Sequence, residues 1–386
     1  MPRRADFLLV GGGLASATAA KTLRGEGAEG SILIVCEEKV PPYNRPPLSK
    51  QVLRGTIQSE RLFILDELES KERRIELLLN SRALSVRPWD KIVATSGAGD
   101  IQYGQLLIAT GAAPRRLSAP GADLAGLFYL RTLADAEALR TASEHGKRAV
   151  VVGGSYLGLE IAATLTRMGV SVTVVDGEPV LFGALEATSV SNHILSHYRE
   201  RGVTVLLGAT VAAFHGEGRI REVVLDSGEA LPCDLVAIAA GVDPNVAFLE
   251  GSGIDVEDGV RVDQFLRTNQ PDIFAAGDVA NVLDRVTGSR QRVEHWDSAV
   301  KQGRFVAKSM LGSRFSYDEV SYFYCDTLDF SFEFLGAPEG ADHIVERGSL
   351  TQNSYARVYL KDNAARALFT VGRPLAETKA IEAMIR

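Results

Sequence analysis

The chain has 386 residues, 46% hydrophobic and 24% charged, with a formal net charge of −7. That length exceeds what one core usually serves, so two or three domains are expected, and the acidic balance argues against nucleic acid as a partner. The three cysteines, Cys36, Cys233 and Cys325, stand far apart with no CxxC; this excludes a disulfide framework, offers no metal motif and fits a reducing, cytoplasmic setting with buried thiols.

The basic start Met1-Pro2-Arg3-Arg4 is followed only by Phe7-Leu8-Leu9-Val10 before glycines begin, too short a run for a secretory signal. No apolar run nears the roughly 18 residues that a membrane span needs. That first run predicts a buried strand, and Gly11-Gly12-Gly13-Leu14-Ala15-Ser16 predicts a turn opening the alanine-rich helix ASATAAKTLR. Gly11 and Gly13 let backbone approach a pyrophosphate, whose charge meets the helix N-terminus at Leu14 and Ala15. Ser16 stands where a third Gly or Ala is usual. SILIVCEE supplies the second strand, and Glu37 at its end is placed to hydrogen-bond a ribose hydroxyl.

PPYNRPPLSK, residues 41–50, comes next, with four prolines in ten residues stiffening a loop that ends on Lys50. Residues 75–95 predict a small antiparallel excursion, and QLLIATGA predicts another buried strand. Strand, glycine turn, helix, strand and acid then recur over residues 148–176, an internal duplication of one βαβ unit. In this second copy Gly153, Ser155, Tyr156, Leu157 and Gly158 make the turn, with Ser155 in the place of the second glycine. Asp176 closes its strand, and accepting from both ribose hydroxyls while repelling a 2′-phosphate would favour NADH over NADPH. GVTVLLG at 202–208 fits a further strand of that unit. His193 and His197 stand at i, i+4 without a third ligand, so no metal is assigned and an amphipathic helix is expected. In TNQPDIFAAGD, residues 268–278, a buried strand delivers Gly277 and Asp278, whose carboxylate suits the ribityl hydroxyl of a flavin. After about residue 313 the pattern alternates as antiparallel strands do. The class is therefore α/β, two Rossmann-like nucleotide-binding units followed by a C-terminal α+β domain.

GGGLAS, LLIATGA, GGSYLGLE, AIAAGVDPN and FAAGD, in this order, resemble the FAD- and NADH-dependent oxidoreductases of the glutathione reductase fold. Members of that superfamily that work through cysteines carry them just after the first acidic residue, and here PPYNRPPLSK takes that place. The loop is similar to that of the ferredoxin reductases serving bacterial aromatic dioxygenases and P450 systems, and of the related apoptosis-inducing-factor proteins. The resemblance implies FAD and NADH as cofactors, with residues 1–112 and 241–312 binding FAD, 113–240 binding NADH and 313–386 forming the C-terminal domain. It implies that Lys50 lies near flavin N5 and pairs with Glu160. It also implies that Arg45 lies near the FAD pyrophosphate, Arg131 near the flavin and Ala83 at the adenine. Ala109, Thr110 and Gly111 would line the FAD side and Gly241 the NADH side. The turn Glu294-His295-Trp296 would aim a helix N-terminus at the N1/O2 edge of the flavin, with Trp296 along its pyrimidine edge and His295 beside it but not a catalytic base.

The implied reaction passes a hydride from NADH to FAD and single electrons to a small acidic [2Fe-2S] ferredoxin. A basic stripe of Lys301, Arg304 and Lys308 at i, i+3, i+7 is a candidate docking face, on a monomer or homodimer. The alternatives are an NADH-sensing flavoprotein or slow NADH oxidase of the apoptosis-inducing-factor kind, and a non-catalytic flavoprotein scaffold.

Overall fold

A computed structural model describes residues 2–284, 288–326, 328 and 330–385. The apolar run Phe7–Val10 lies in the strand Arg3–Val10, which pairs in parallel with Ile32–Val35 on one side and with Gly99–Ile108 on the other. All four residues of Ile32–Val35 are buried, as expected of a parallel strand covered on both faces. Gly99–Ile108 divides its ladder: its start pairs antiparallel with Ile92–Thr95, and its end pairs in parallel with Ile273–Ala275. This division lets a strand from late in the chain join the first sheet as a branch beside the end of Gly99–Ile108. The excursion at 75–95 is antiparallel only over Ala83–Arg87 and Ile92–Thr95. Ile75–Leu78 instead extends the sheet in parallel beside Ile32–Val35, because its short apolar run gains a covered edge there.

The second unit is an all-parallel sheet in the order Thr204–Leu207, Ser171–Asp176, Arg148–Val152, Leu235–Ile238, Leu127–Tyr129. Two short antiparallel strands, Ala112–Pro114 and Val242–Pro244, join the units. Asn245 clasps them: its N–H donates to the Gly111 carbonyl (3.0 Å) and its Nδ2 to the Thr110 carbonyl (3.0 Å). Residues 322–371 form a five-stranded antiparallel sheet in the order Tyr322–Asp326, Ser331–Gly336, Ala364–Val371, Ser354–Lys361, His343–Ser349, followed by the helix Leu375–Ile385.

The core of the second unit extends beyond its own sheet. Leu48, Val52 and Leu53 from the proline-rich loop, and Phe330, Phe332 and Phe334 from the C-terminal sheet, are buried in one cluster with Leu159, Ile161 and Val174. The loop leaves the first unit and packs on the second.

Candidate functional site

The two glycine turns follow one plan. Gly11 has φ +121°, and a Cβ there would stand 2.1 Å from the Ala109 carbonyl oxygen; Gly153 has φ +106°, and its Cβ would stand 2.3 Å from the Ala239 oxygen. No other residue fits either place. Gly13, by contrast, faces open space, and it is the N-cap of the helix Leu14–Gly25 without any side-chain hydrogen bond to the first turn. Ser155 caps Tyr156–Arg167 in the same uncapped way. The helix Leu133–His145 carries a full capping box from Thr132 and Asp135. The two helices that follow glycine turns therefore present unpaired N–H groups and a positive dipole end, which suits a pyrophosphate.

The surroundings of the first turn fit FAD. Arg45, half-buried, donates to Glu38 (3.0 Å), which also accepts from the Tyr43 hydroxyl (2.7 Å). Burial and the neighbouring Arg131 cation lower the Arg45 pKa, so these two guanidiniums together favour an anion between them. Arg131 also donates to Asp278 (2.9 Å), placing that carboxylate beside the strand end that delivers Gly277. Glu37 is exposed, with Arg82 Nε 3.8 Å from its carboxylate. Ala83 begins the strand Ala83–Arg87, opposite Thr95.

The second turn opens on a cavity of about 650 Å³ lined by Gly153, Ser155, Asp176, Ala209 and Gly241, a size suited to a nucleotide. Asp176 accepts from the Gly154 N–H (2.5 Å) and the Glu178 N–H (2.8 Å). Its carboxylate is thus fixed in direction before any ribose arrives, with lone pairs to spare.

Between the two turns the proline-rich loop meets the second helix. Lys50 Nζ lies 2.8 Å from Glu160 Oε1 and 3.4 Å from Asp326 Oδ2. Ser49 donates to Glu160 Oε2 (2.6 Å), while the Ser49 carbonyl accepts from Thr164 (2.7 Å). The Lys50 and Glu160 side chains are only 16% and 11% exposed. Burial raises the Glu160 pKa against the pull of Lys50. Burial also opposes the Lys50 charge, yet Glu160 and Asp326 outweigh it and its pKa rises as well. Glu160 rises mainly because it is buried, with Asp326 adding to the shift, and Lys50 rises because two carboxylates hold its charge.

His295 is the N-cap of Trp296–Met310. Its Nδ1 faces the Asp297 N–H (3.4 Å) and its Nε2 the Tyr324 N–H (3.3 Å); a neutral imidazole accepts one of these and an imidazolium neither. Burial pushes its pKa down to about 4, so the ring is neutral at neutral pH. Trp296, 37% exposed, donates from Nε1 to Asn44 Oδ1 (2.9 Å), linking this helix start to the proline-rich loop.

The expected basic stripe is not a free cationic face. Lys301 is only 21% exposed and is surrounded by Asp297 (2.8 Å), Glu382 (3.7 Å) and Glu319 (3.8 Å). Lys308 lies 3.4 Å from Glu26, which leaves Arg304 exposed between two neutralised neighbours. Only the Lys301 end of the stripe meets the C-terminal part, at Val320, Glu319 and Glu382, while Arg304 and Lys308 stay exposed. The rings of His193 and His197 both lie against Phe330. Cys36, Cys233 and Cys325 are all buried, and burial pushes the first two thiols up to about 12 and Cys325 well above its ordinary value. Tyr324, Cys325 and Asp326 close the strand Tyr322–Asp326, and Thr327 lies outside the described residues.

Sequence reasoning missed Ser49, Asn44 and Asp326. Ser49 and Asn44 sit within the quoted loop and could have been weighed as donors and acceptors. Asp326 gave no signal, since only the packing of the C-terminal sheet brings it to Lys50.

The family model described as pyridine nucleotide-disulphide oxidoreductase matches residues 5–303. The chain is 32% identical over 370 residues to the probable ferredoxin reductase CtmF of Castellaniella defragrans, covering 95% of this chain and 90% of that protein. It is 33% identical over 376 residues to putidaredoxin reductase CamA of Pseudomonas putida, covering 96% and 89%. The fold matches the crystal structure of the covalent putidaredoxin reductase–putidaredoxin complex with a TM-score of 0.93 and 30% identity, over 99% of this chain and 93% of that one. Two glycine turns before uncapped helices, a nucleotide-sized cavity and three inert thiols accord with these likenesses, and the chain belongs to the pyridine nucleotide-disulphide oxidoreductase family.

Proposed function

We propose that this protein is an NADH-dependent ferredoxin reductase that holds FAD at the first glycine turn and receives NADH at the second. The observation that carries this reading is the buried Lys50–Glu160 pair, which joins the proline-rich loop to the NADH-side helix where a thiol relay would need an accessible cysteine. FAD, when bound, supplies the chemistry of taking a hydride and returning electrons singly.

The chain's own residues do the rest. The N–H groups following Gly13 and the Arg45 guanidinium would hold the pyrophosphate, Arg131 would stand toward the flavin, and Asp278, paired with Arg131, would orient the ribityl chain. Lys50, kept charged by Glu160, would offer a positive charge to the flavin, and the N-terminus of Trp296–Met310 would add its dipole. Asp176 receives the ribose of NADH and disfavours a 2′-phosphate. The relatives named as reductases of ferredoxin and putidaredoxin support a ferredoxin acceptor, and a small acidic [2Fe-2S] protein is the form proposed. Among the described residues no helix is long and apolar enough to cross a membrane.

Anaerobic rapid mixing tests the reading. NADH should bleach the flavin absorbance within the turnover time, and added [2Fe-2S] ferredoxin should restore it. Bleaching that persists in the presence of a panel of ferredoxins would place the protein among NADH sensors, and protein that never bleaches would be a scaffold.

A further inference from the structure

The C-terminal sheet reaches the junction of the two nucleotide sites through one charged side chain. Asp326 ends the strand Tyr322–Asp326, and its Oδ1 accepts from the Ser331 hydroxyl across the hairpin (2.8 Å). That bond orients the carboxylate so that Oδ2 lies 3.4 Å from Lys50 Nζ. On the other side of the ammonium stands Glu160, itself held by Ser49. One cation from the first unit therefore serves two carboxylates, one from the second unit and one from the C-terminal sheet. Asp326 is 48% exposed and keeps its water, while Glu160 has little. Desolvation is thus the smaller cost at Asp326.

We propose that Asp326 is a positioning residue that acts through Lys50: it holds the ammonium between two carboxylates, so the C-terminal sheet sets the charge carried by the Lys50–Glu160 pair. This rests on the functional reading above, in which FAD occupies the adjoining site.

The titratable groups facing the pair support a single controlling charge. Tyr324 lies under Lys50, with Nζ 5.6 Å from its ring centre, and burial raises its pKa. Tyr198 and Cys325, which face Glu160, are also raised by burial and stay neutral. His295, toward Lys50, is neutral at neutral pH. Among the described residues, Asp326 is then the charge that acts on the pair from outside it. A negative charge there opposes a second one on Glu160 and favours the positive charge on Lys50. Removing it lowers the pKa of both groups, so Glu160 keeps its charge to lower pH.

The test uses FAD-loaded protein and reads the oxidised flavin spectrum and the midpoint potential as pH is lowered from neutral. The parent should show a pH-dependent step that Glu160→Gln abolishes. Asp326→Asn should move that step to lower pH, Asp326→Glu should return it toward the parent, and Ser331→Ala, which frees Oδ1, should give a smaller shift in the Asp326→Asn direction. A step at the same pH in the parent and in Asp326→Asn overturns the assignment, as does a step that survives Glu160→Gln. Loss of potential or activity without movement of the step would mark a merely structural role and also overturns it. Protein that folds but retains no FAD overturns the functional reading and this assignment with it, whereas FAD-loaded protein with an unmoved step sinks this assignment alone.

Discussion

The two glycine turns begin from nearly the same sequence and end in different surroundings. At the first, a late strand and a late helix close over the turn. Gly303 of Trp296–Met310 comes so near that a Cβ would stand 2.7 Å from the Ala15 carbonyl oxygen, and Gly277 faces the Ala15 side chain. At the second, the cover comes from elsewhere: Tyr156, the first residue of its helix, lies against Phe182, Phe323 and Phe332, while the turn itself borders the cavity of about 650 Å³. Their third positions differ as well. A Cβ at Gly158 would meet the Gly153 carbonyl oxygen at 1.9 Å, whereas Ser16 is accommodated in full burial with its hydroxyl unpartnered. One motif thus yields two sites, one whose helix start packs against a late strand end and a late helix, and one that borders an open cavity. What surrounds the motif decides which.

The largest test of this contrast is a pair of single substitutions. Gly11→Ala forces a Cβ into backbone at positive φ, so loss of about 3 kcal/mol or more is expected, together with loss of bound FAD. Gly158→Ala should leave FAD content near the parent while weakening NADH binding at least about tenfold, since the second helix must move away from its turn. Absorbance of the purified proteins and titration with NADH read the two outcomes. If both variants lost the same nucleotide, the division of labour between the turns would be wrong.

Next in size is the contact joining the two units. Glu160→Gln leaves Lys50 buried with only the half-exposed Asp326, and reduction by NADH should slow by about tenfold or more at saturating NADH. Rapid-mixing rates in the parent and variant check this, and equal rates would remove Lys50–Glu160 from the mechanism.

A smaller effect follows from His295. Its folded pKa of about 4 lies below the ordinary 6.5, so between those values the unfolded chain binds a proton that the folded chain does not. The stability due to the neutral ring is complete above about pH 6.5 and is lost as pH falls toward 4. Melting temperatures over that window should fall more steeply in the parent than in His295→Asn. Parallel slopes would show that the ring titrates normally.

The smallest effect is expected at the odd third position of the first turn. Ser16→Ala removes a hydroxyl that has no partner, so stability should stay within about 0.5 kcal/mol of the parent or rise. A marked loss would show that the hydroxyl has a bond that the fold makes only with nucleotide in place.

Much of this was legible in the residues. Runs such as DFLLVGGG and RAVVVGGS specify buried strands that must stop at glycines, because a side chain at Gly11 or Gly153 would occupy a neighbouring carbonyl. The acids Glu37 and Asp176 follow at the ends of the next strands. The stripe at 301–308 misled for a physical reason: helical spacing reveals which residues share a face, but not what packs on that face. Lys301 reads as a surface cation until Glu319 and Glu382 from the C-terminal part are set beside it.

The sequence by itself determined the repeated strand–turn–helix units, the acids that end them and the absence of paired cysteines, all consequences of local sterics and spacing. Only the tertiary structure decided that the proline-rich loop packs on the second unit, that Lys50 meets Asp326, and that the first helix start packs on Gly277 and Gly303 while the second turn borders a cavity. Those facts depend on contacts between segments far apart along the chain, and local pattern carries no record of such distances.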